Sequence, residues 1–409
     1  MTKDKIIKTR APFVFFGGVS LFFLGLIYAF SMFVKPIMED FLLQGEITYV
    51  FNVMIVMFGL GSLIGSWCEK NIGVKYTLLL ACVLYSAAFV GTGMLAQIFA
   101  QAWVLYVLYA GIGGLGVGIA YNTTVGAVNL WFPDKLGFIS GIQLLCFGAS
   151  SLIFGNLSLL ARPYIGGMSS VFIFFGIFGT IAMLLFAFFY KNPPADIVEV
   201  MMGKQAASKD AMSDGDSIIT SANFWVYFVW VTLITVVGLS TIGNASSDAM
   251  SIGISEAMGA LLVGFVSAVN GGSRVVIGFI YDKFGVVCAM GFNNIIGIIA
   301  AVCVLVGLFY GHSIVYIIGA LLCGFSYGSI PVIGTAFVRQ RYGALNYAFN
   351  RSVVIMTLVA ASILNIIMGL VTNNDRLLMF SISLGFCIFS LILVFIFAGM
   401  WKKWQKKGA

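Results

Sequence analysis

The sequence predicts an all-α polytopic membrane protein, with twelve transmembrane helices arranged as two groups of six and both termini in the cytoplasm. Three observations carry that prediction. Of 409 residues, 61% are hydrophobic and only 9% charged, whereas a soluble domain carries about 25% charged residues. Apolar runs long enough to cross a bilayer recur along the whole chain. Lysines and arginines concentrate on alternate connections between those runs, as they do on the cytoplasmic side of membrane proteins.

Taken in order, Lys3, Lys5, Lys8 and Arg10 precede an apolar run from Ala11 to about Val34. This run is too long for a signal peptide and reads as a retained first helix. Spans follow at 46–67, 74–96, 102–129, 137–160 and 168–190, completing an N-terminal bundle over 1–190. The segment 191–220 breaks the pattern with Lys191-Asn192-Pro193-Pro194 and a polar run to Ser217, and reads as a cytoplasmic central loop. Spans at 221–246, 257–280, 286–310, 314–337, 345–371 and 377–400 form a C-terminal bundle over 221–400, with a basic tail at 401–409. All 22 lysines and arginines lie on the side of the termini except Lys35, Arg162 and Arg376 opposite, and Arg274 and Arg351 within spans. The tail lysines suit anionic head groups.

The net charge of +7 therefore reflects membrane topology, and no nucleic acid partner is expected. The seven cysteines lie in or beside apolar spans without a CxxC pair, and His312 is the single histidine. No disulfide framework, metal site or cofactor is expected. No nucleotide-binding loop or paired nucleophile and base points to an enzyme.

Arg274 stands alone in the eighth span. At about 1.5 Å per residue it lies roughly 12 Å from Asp282-Lys283 and roughly 27 Å from Glu256 along the helix. Insertion of a guanidinium there costs at least ~2.5–3.5 kcal/mol. No span carries an Asp or Glu as its fixed partner, so either dipoles and water or a transient anion must compensate. The planar fork suits a carboxylate, and Asn270, one turn away, can donate to the same anion. Arg351 lies near the start of the eleventh span. It either snorkels to the cytoplasmic surface or brings a second positive charge towards the site. Asp248 and Glu256, at outer helix ends, read as solvated.

The two halves repeat one another at Gly65-Ser66-Trp67-Cys68-Glu69-Lys70-Asn71-Ile72-Gly73 and Gly278-Phe279-Ile280-Tyr281-Asp282-Lys283-Phe284-Gly285. Each has a glycine, three residues, an acid, a lysine and a further glycine between the second and third spans of its half. This pattern resembles the gate signature of the major facilitator superfamily, which implies gating roles for Gly65, Glu69, Lys70 and Gly73 and for Gly278, Asp282, Lys283 and Gly285. The second copy fits closely; the first has glutamate for aspartate and one extra residue before Gly73. Gly116 to Tyr121 and Asn129-Leu130-Trp131-Phe132-Pro133-Asp134-Lys135-Leu136-Gly137 resemble the fourth helix and following loop of the oxalate:formate antiporter family, which belongs with the monocarboxylate transporters. Asn270-Gly271-Gly272-Ser273-Arg274 resembles its eighth helix, which implies that Arg274 binds substrate. By the same resemblance Tyr28 on the first helix and Tyr327 on the tenth are site tyrosines, and Tyr121 joins them on the fourth.

Three departures and one further likeness bear on substrate and coupling. Val354 stands where the oxalate carrier has a lysine, and Cys323 where it has a tryptophan. Asn270 replaces an aspartate of many monocarboxylate transporters. Lys35 resembles the first-helix lysine of proton-coupled members, and with Asp248 it is a candidate for coupling. A single cation beside Cys323 in place of a bulky ring implies short-chain monocarboxylates, such as lactate, pyruvate, formate or acetate, carried by alternating access. Oxalate or another dicarboxylate, exchanged as in oxalate:formate antiport, is the alternative, and a non-carboxylate solute the second. A lipophilic-cation carrier would want a buried acid, and a channel or sensor would not need the repeat. The expected partners are a small carboxylate, a proton or counter-anion, and the bilayer of the cell membrane, with the protein working as a monomer.

Overall fold

Glycine decides how many times this chain crosses the membrane. The computed structural model describes residues 3–194, 196–203, 217–343 and 346–407. Within them, ten helices are long and apolar enough to cross a bilayer. Two of these, Val50–Phe99 with 50 residues and Glu256–Tyr310 with 55, would run about 75 and about 83 Å if straight, more than twice a hydrocarbon core. Each is interrupted by one residue outside the helical region: Gly73 at φ 80, ψ 165 and Gly285 at φ 81, ψ 176. These angles suit only glycine. Both long helices are hairpins folded at that point, and ten helices become twelve crossings.

We number them α1 (Ile6–Phe41), α2 (50–72), α3 (74–99), α4 (Ala102–Leu130), α5 (Phe138–Ile165), α6 (Gly167–Phe189), α7 (Ala222–Ile242), α8 (256–284), α9 (286–310), α10 (Ser313–Tyr342), α11 (Tyr347–Val371) and α12 (Arg376–Lys407). An even number of crossings puts both termini on one face, called here the terminal face. The two halves meet along α2 with α11 and α5 with α8, pairs that exchange when the halves exchange. Small residues let them approach: a Cβ at Gly59 of α2 would overlap Val359 of α11, and one at Gly148 of α5 would stand 3.1 Å from Gly271 Cα of α8.

Several boundaries differ from the sequence reading. α1 does not stop at Val34 but runs through Lys35 and Pro36 to Phe41, since neighbouring helices can accommodate a membrane proline. The central segment is not wholly a loop. A short helix, Ile197–Met202, buries Ile197 and Met201 in a cluster with Trp131 and Tyr190, because these two residues are one turn apart on the same face. Its remaining stretch, 204–216, with Lys204 and Lys209, lies outside the described residues. The basic tail is also no free tail as far as Lys407. Trp401 is buried against Phe337 and Phe397, and the Arg341 guanidinium stands 4.8 Å above the Trp404 ring.

Asp248 was expected in solvent. It sits in a short helix, Ala245–Ser251, with 4% exposure, where Arg376 grips both its oxygens at 2.8 and 2.7 Å. Arg376 also donates to the Ser240 carbonyl. This bidentate pair ties the α7–α8 connection to α12, which is why an acid can be buried there.

A Cβ at Gly73 or Gly285 would meet nothing within 4 Å. Substitution by alanine therefore tests the backbone alone. Each variant is expected to lose about 1–3 kcal/mol of stability, seen as a lower melting temperature in detergent, and an unchanged melting temperature in both would refute the hairpin assignment.

Candidate functional site

The centre of the structure is a small cavity of about 40 Å³ between the halves, lined by Tyr28, Phe58, Tyr121 and Phe147 from the N-terminal half and by Arg274, Tyr327, Ile330, Pro331, Val354, Ile355, Thr357 and Leu358 from the other. A few waters would fill it. Local irregularities in α1 and the α10 proline bring these side chains together. Tyr28 sits in a tighter turn, Gly25–Ala29, inside α1, where a Cβ at Gly25 would overlap the Phe147 carbonyl of α5. Only glycine permits α1 to cross α5 there. Pro331 lines the cavity from within α10. The rings pack edge to face or tilted: Tyr28 with Phe147 at 5.4 Å and with Tyr327 at 6.0 Å, Tyr121 with Phe147 at 4.9 Å and with Phe58 at 5.1 Å. The Tyr28 hydroxyl donates to that of Tyr327 at 3.4 Å.

Arg274 is 3% exposed. Its guanidinium donates to the Leu144 carbonyl of α5 and, at 3.2 Å, to Asn270 Oδ1. Its Nε–H and the Asn270 amide nitrogen have no hydrogen-bond partner. Among the described residues no carboxylate pairs with it. The bond to Leu144 joins the two halves. Asn270 was expected to meet an anion directly, but it does not line the cavity and acts on the arginine instead. It is pinned by α10, since a Cβ at Gly328 would overlap its carbonyl and side chain.

Arg351 does not snorkel. It is 5% exposed and donates to both the Asn122 carbonyl, at 2.5 Å, and the Asn122 side chain. Asn122 in turn donates to Ser66 Oγ at 2.7 Å, so α11, α4 and α2 are joined through one amide. Arg351 lines a second cavity of about 40 Å³, with Ser140, Leu144, Val125 and Thr335. Tyr121, Pro331, Val354 and Ile355 line both cavities and form the partition between them. The missing lysine position, Val354, is thus this partition.

Cys323 is a correction. It is fully buried but does not line the cavity; it lies a turn beyond Tyr327, towards the other face, and so cannot set the room for a substrate tail. The two gate-like segments also exchange standing. Asp282 and Lys283 of the closely matching copy are exposed, with Lys283 over the Phe279 and Phe284 rings, and a Cβ at Gly278 would reach only Val332 at 3.8 Å. In the divergent copy, a Cβ at Gly65 would meet Ile119 Cα at 3.1 Å, and Glu69 lies half-buried across Gly126 from Arg351. Lys70 is exposed. On the opposite face Lys35 of α1 pairs with Glu256 of α8, both about half exposed.

Sequence reasoning missed Phe58, Phe147, the Leu144 carbonyl and Asn122. Only Asn122 had a signal, as an amide in an apolar span next to Tyr121.

A family model described as Major Facilitator Superfamily matches residues 14–356. The chain belongs to this superfamily. It is similar to the oxalate:formate antiporter of Oxalobacter formigenes, with 26% identity over 80% of this chain and 76% of that protein. It is 34% identical to apicoplast pyruvate carrier 1 of Toxoplasma gondii over 24% of this chain and 17% of that one, and 26% identical to a probable sulfoacetate transporter of Cupriavidus necator over 37% and 34%. In fold it is similar to the proton:xylose symporter XylE bound to 6-bromo-6-deoxy-D-glucose, with TM-score 0.69 and 15% identity over 95% of this chain and 96% of that chain. It is likewise similar to the partially occluded inward-open form of the E. coli xylose transporter, with TM-score 0.66 and 15% identity over 95% of this chain and 98% of that chain. The protein is thus a multi-pass membrane transporter of this superfamily.

The Gly328 contact yields a direct test of how Asn270 acts. Gly328→Ala is expected to push α10 off Asn270 and weaken uptake at least about tenfold, the cost of misplacing one hydrogen-bonding group. Gly272→Ala, on open space in the same helix as Asn270, should leave uptake unchanged. Equal uptake by both variants would separate Asn270 from function.

Proposed function

We propose that this protein is a secondary active carrier of small organic anions in the cell membrane, with short-chain monocarboxylates as its substrates and Arg274 as the residue that binds the carboxylate. The observation that carries the reading is the buried guanidinium without a carboxylate, at the edge of a cavity between the halves. Burying a charge without a counter-charge is costly, and an arriving carboxylate supplies one. The relatives agree in chemistry, since oxalate, formate, pyruvate and sulfoacetate are all small anions.

The geometry also suggests how binding would couple to alternating access. Arg274 belongs to the C-terminal half, and the Leu144 carbonyl it holds belongs to the N-terminal half. A carboxylate taking both ends of the fork replaces that bond, so occupancy changes what holds the halves together. On the terminal face the closure is Arg351 with Asn122; on the opposite face it is Asn365 Nδ2 with Asn52 Oδ1 at 2.9 Å, and Lys35 with Glu256. Tyr28, Tyr121 and Tyr327 would bound the far side of the anion, and their rings limit its size. Lys35 is the coupling candidate nearer the protein exterior; Asp248, held by Arg376, fits a structural role better.

A dicarboxylate is the second reading, because the Arg351 cavity adjoins the first. Val354 between them and the hold of Asn122 on Arg351 favour one charge in the central cavity, hence a monoanion.

Arg274→Lys keeps the charge and loses the fork. It is expected to insert normally and lose most uptake, about tenfold or more, in proteoliposomes supplied with labelled formate, acetate, lactate, pyruvate and oxalate, with and without a pH gradient. Near-normal uptake of every anion would make Arg274 structural. Oxalate taken up best would select the second reading.

A further inference from the structure

Arg274 and Arg351 are buried at two depths, each on its own small cavity, and the reading above gives the second only its closing bond to Asn122. Arg274 lies eleven residues before the Gly285 break, about 16 Å of helix from the terminal face, whereas Arg351 lies four residues into α11, about 6 Å. The Arg351 cavity therefore stands between the central one and the terminal face. Its wall carries the hydroxyl-bearing Ser140 and Thr335. The Arg351 Nε–H is buried and without a hydrogen-bond partner. Near Arg351 stands Glu69, four residues before the Gly73 break and so at a similar depth, with one buried carboxylate oxygen also unpartnered. A Cβ at Gly126 would be 3.7 Å from an Arg351 nitrogen and 3.9 Å from either Glu69 oxygen, so the two charges flank that glycine without forming an ion pair.

We propose that Arg351 heads a second anion-binding site, in series with Arg274, which a small carboxylate occupies in passing between the central cavity and the terminal face, and from which Glu69 displaces it. The proposal rests on the carrier reading above and deepens it.

The physics follows from the spacing. The partition consists of Tyr121, Pro331, Val354 and Ile355, the last two from α11. An anion leaving Arg274 would otherwise cross an apolar layer with no counter-charge. A second guanidinium just past that layer lowers the barrier. A site that only attracted would trap its ligand. Glu69, beside the same Gly126, offers the guanidinium an alternative partner and repels the anion. Asn122 holds Arg351 in place when neither is bound.

The test compares purified protein and proteoliposomes using labelled formate, pyruvate and oxalate. Equilibrium binding is measured in detergent and efflux from preloaded vesicles, with Arg274→Gln as the control. Arg274→Gln should lose both binding and efflux; if it keeps both, the carrier reading itself fails. Arg351→Gln should keep the dissociation constant within about threefold while efflux slows about tenfold or more, which separates transit from capture. Val354→Phe, thickening the partition, should show the same split, and it carries the test if Arg351→Gln does not fold. Glu69→Gln should bind more tightly and release more slowly. Arg351→Lys should restore part of the efflux, as a structural bond to Asn122 alone would not require. Unchanged efflux in Arg351→Gln and Val354→Phe would overturn the proposal. So would loss of binding in Arg351→Gln equal to that in Arg274→Gln, because the two arginines would then form one site.

Discussion

A guanidinium kept from water inside a membrane needs a partner, and much of this structure is arranged around how Arg274 finds one. The protein answers it with dipoles rather than with a fixed charge: a helix carbonyl from the other half and an amide one turn away. Those partners hold two of its nitrogens and leave Nε and the Asn270 amide without acceptors. Each buried unsatisfied donor costs about 1–3 kcal/mol. A fixed aspartate would have removed that cost and with it the reason for an anion to bind. Incomplete satisfaction is what makes the site receptive.

The need to place that side chain explains several glycines. Gly25 lets α1 reach α5 so that Tyr28 arrives at the cavity, Gly148 lets α5 reach α8, and Gly328 lets α10 press on Asn270. A methyl at Gly25 or Gly328 would overlap the facing backbone, and one at Gly148 would press on α8. Gly73 and Gly285 act differently. They pack against nothing and serve only to reverse the chain, with nearly identical angles in the two halves. The extra residue before Gly73 does not alter this turn.

Charge counting along the chain is a poor guide to how many cations face one ligand. Arg274 and Arg351 are both buried, yet side chains partition the space between them, and each has its own polar partners. In the same way, the gate segment with the better sequence match faces solvent, and the poorer one lies opposite Arg351 at the junction of the halves. The asymmetry has a physical basis. A half-buried acid gains from the field of a nearby arginine, and the α11 arginine has no counterpart opposite Asp282 among the described residues.

The helical class, the two sixfold halves and the isolated arginine of α8 were legible in the sequence, because each is a one-dimensional property. Hydropathy gives span length, composition gives the solvent, and a lone charge in an apolar run is visible without coordinates. Gly73 and Gly285 were visible as members of a repeated motif, but their part in reversing the chain came from the backbone angles. What surrounds Arg274 was not. Phe58, Phe147 and the Leu144 carbonyl are ordinary members of apolar helices, and only the crossing of α1, α2, α5 and α8 makes them a wall. Cys323 looked like a pocket residue because it is one turn from Tyr327, yet the cavity ends at that turn. Asp248 looked solvent-bound and Arg351 could point either way because they lie near helix ends, and tertiary packing supplied Arg376 and Asn122. A long polar side chain can turn either way from its backbone position. The choice depends on which partners lie within reach, and that is a property of the folded chain alone.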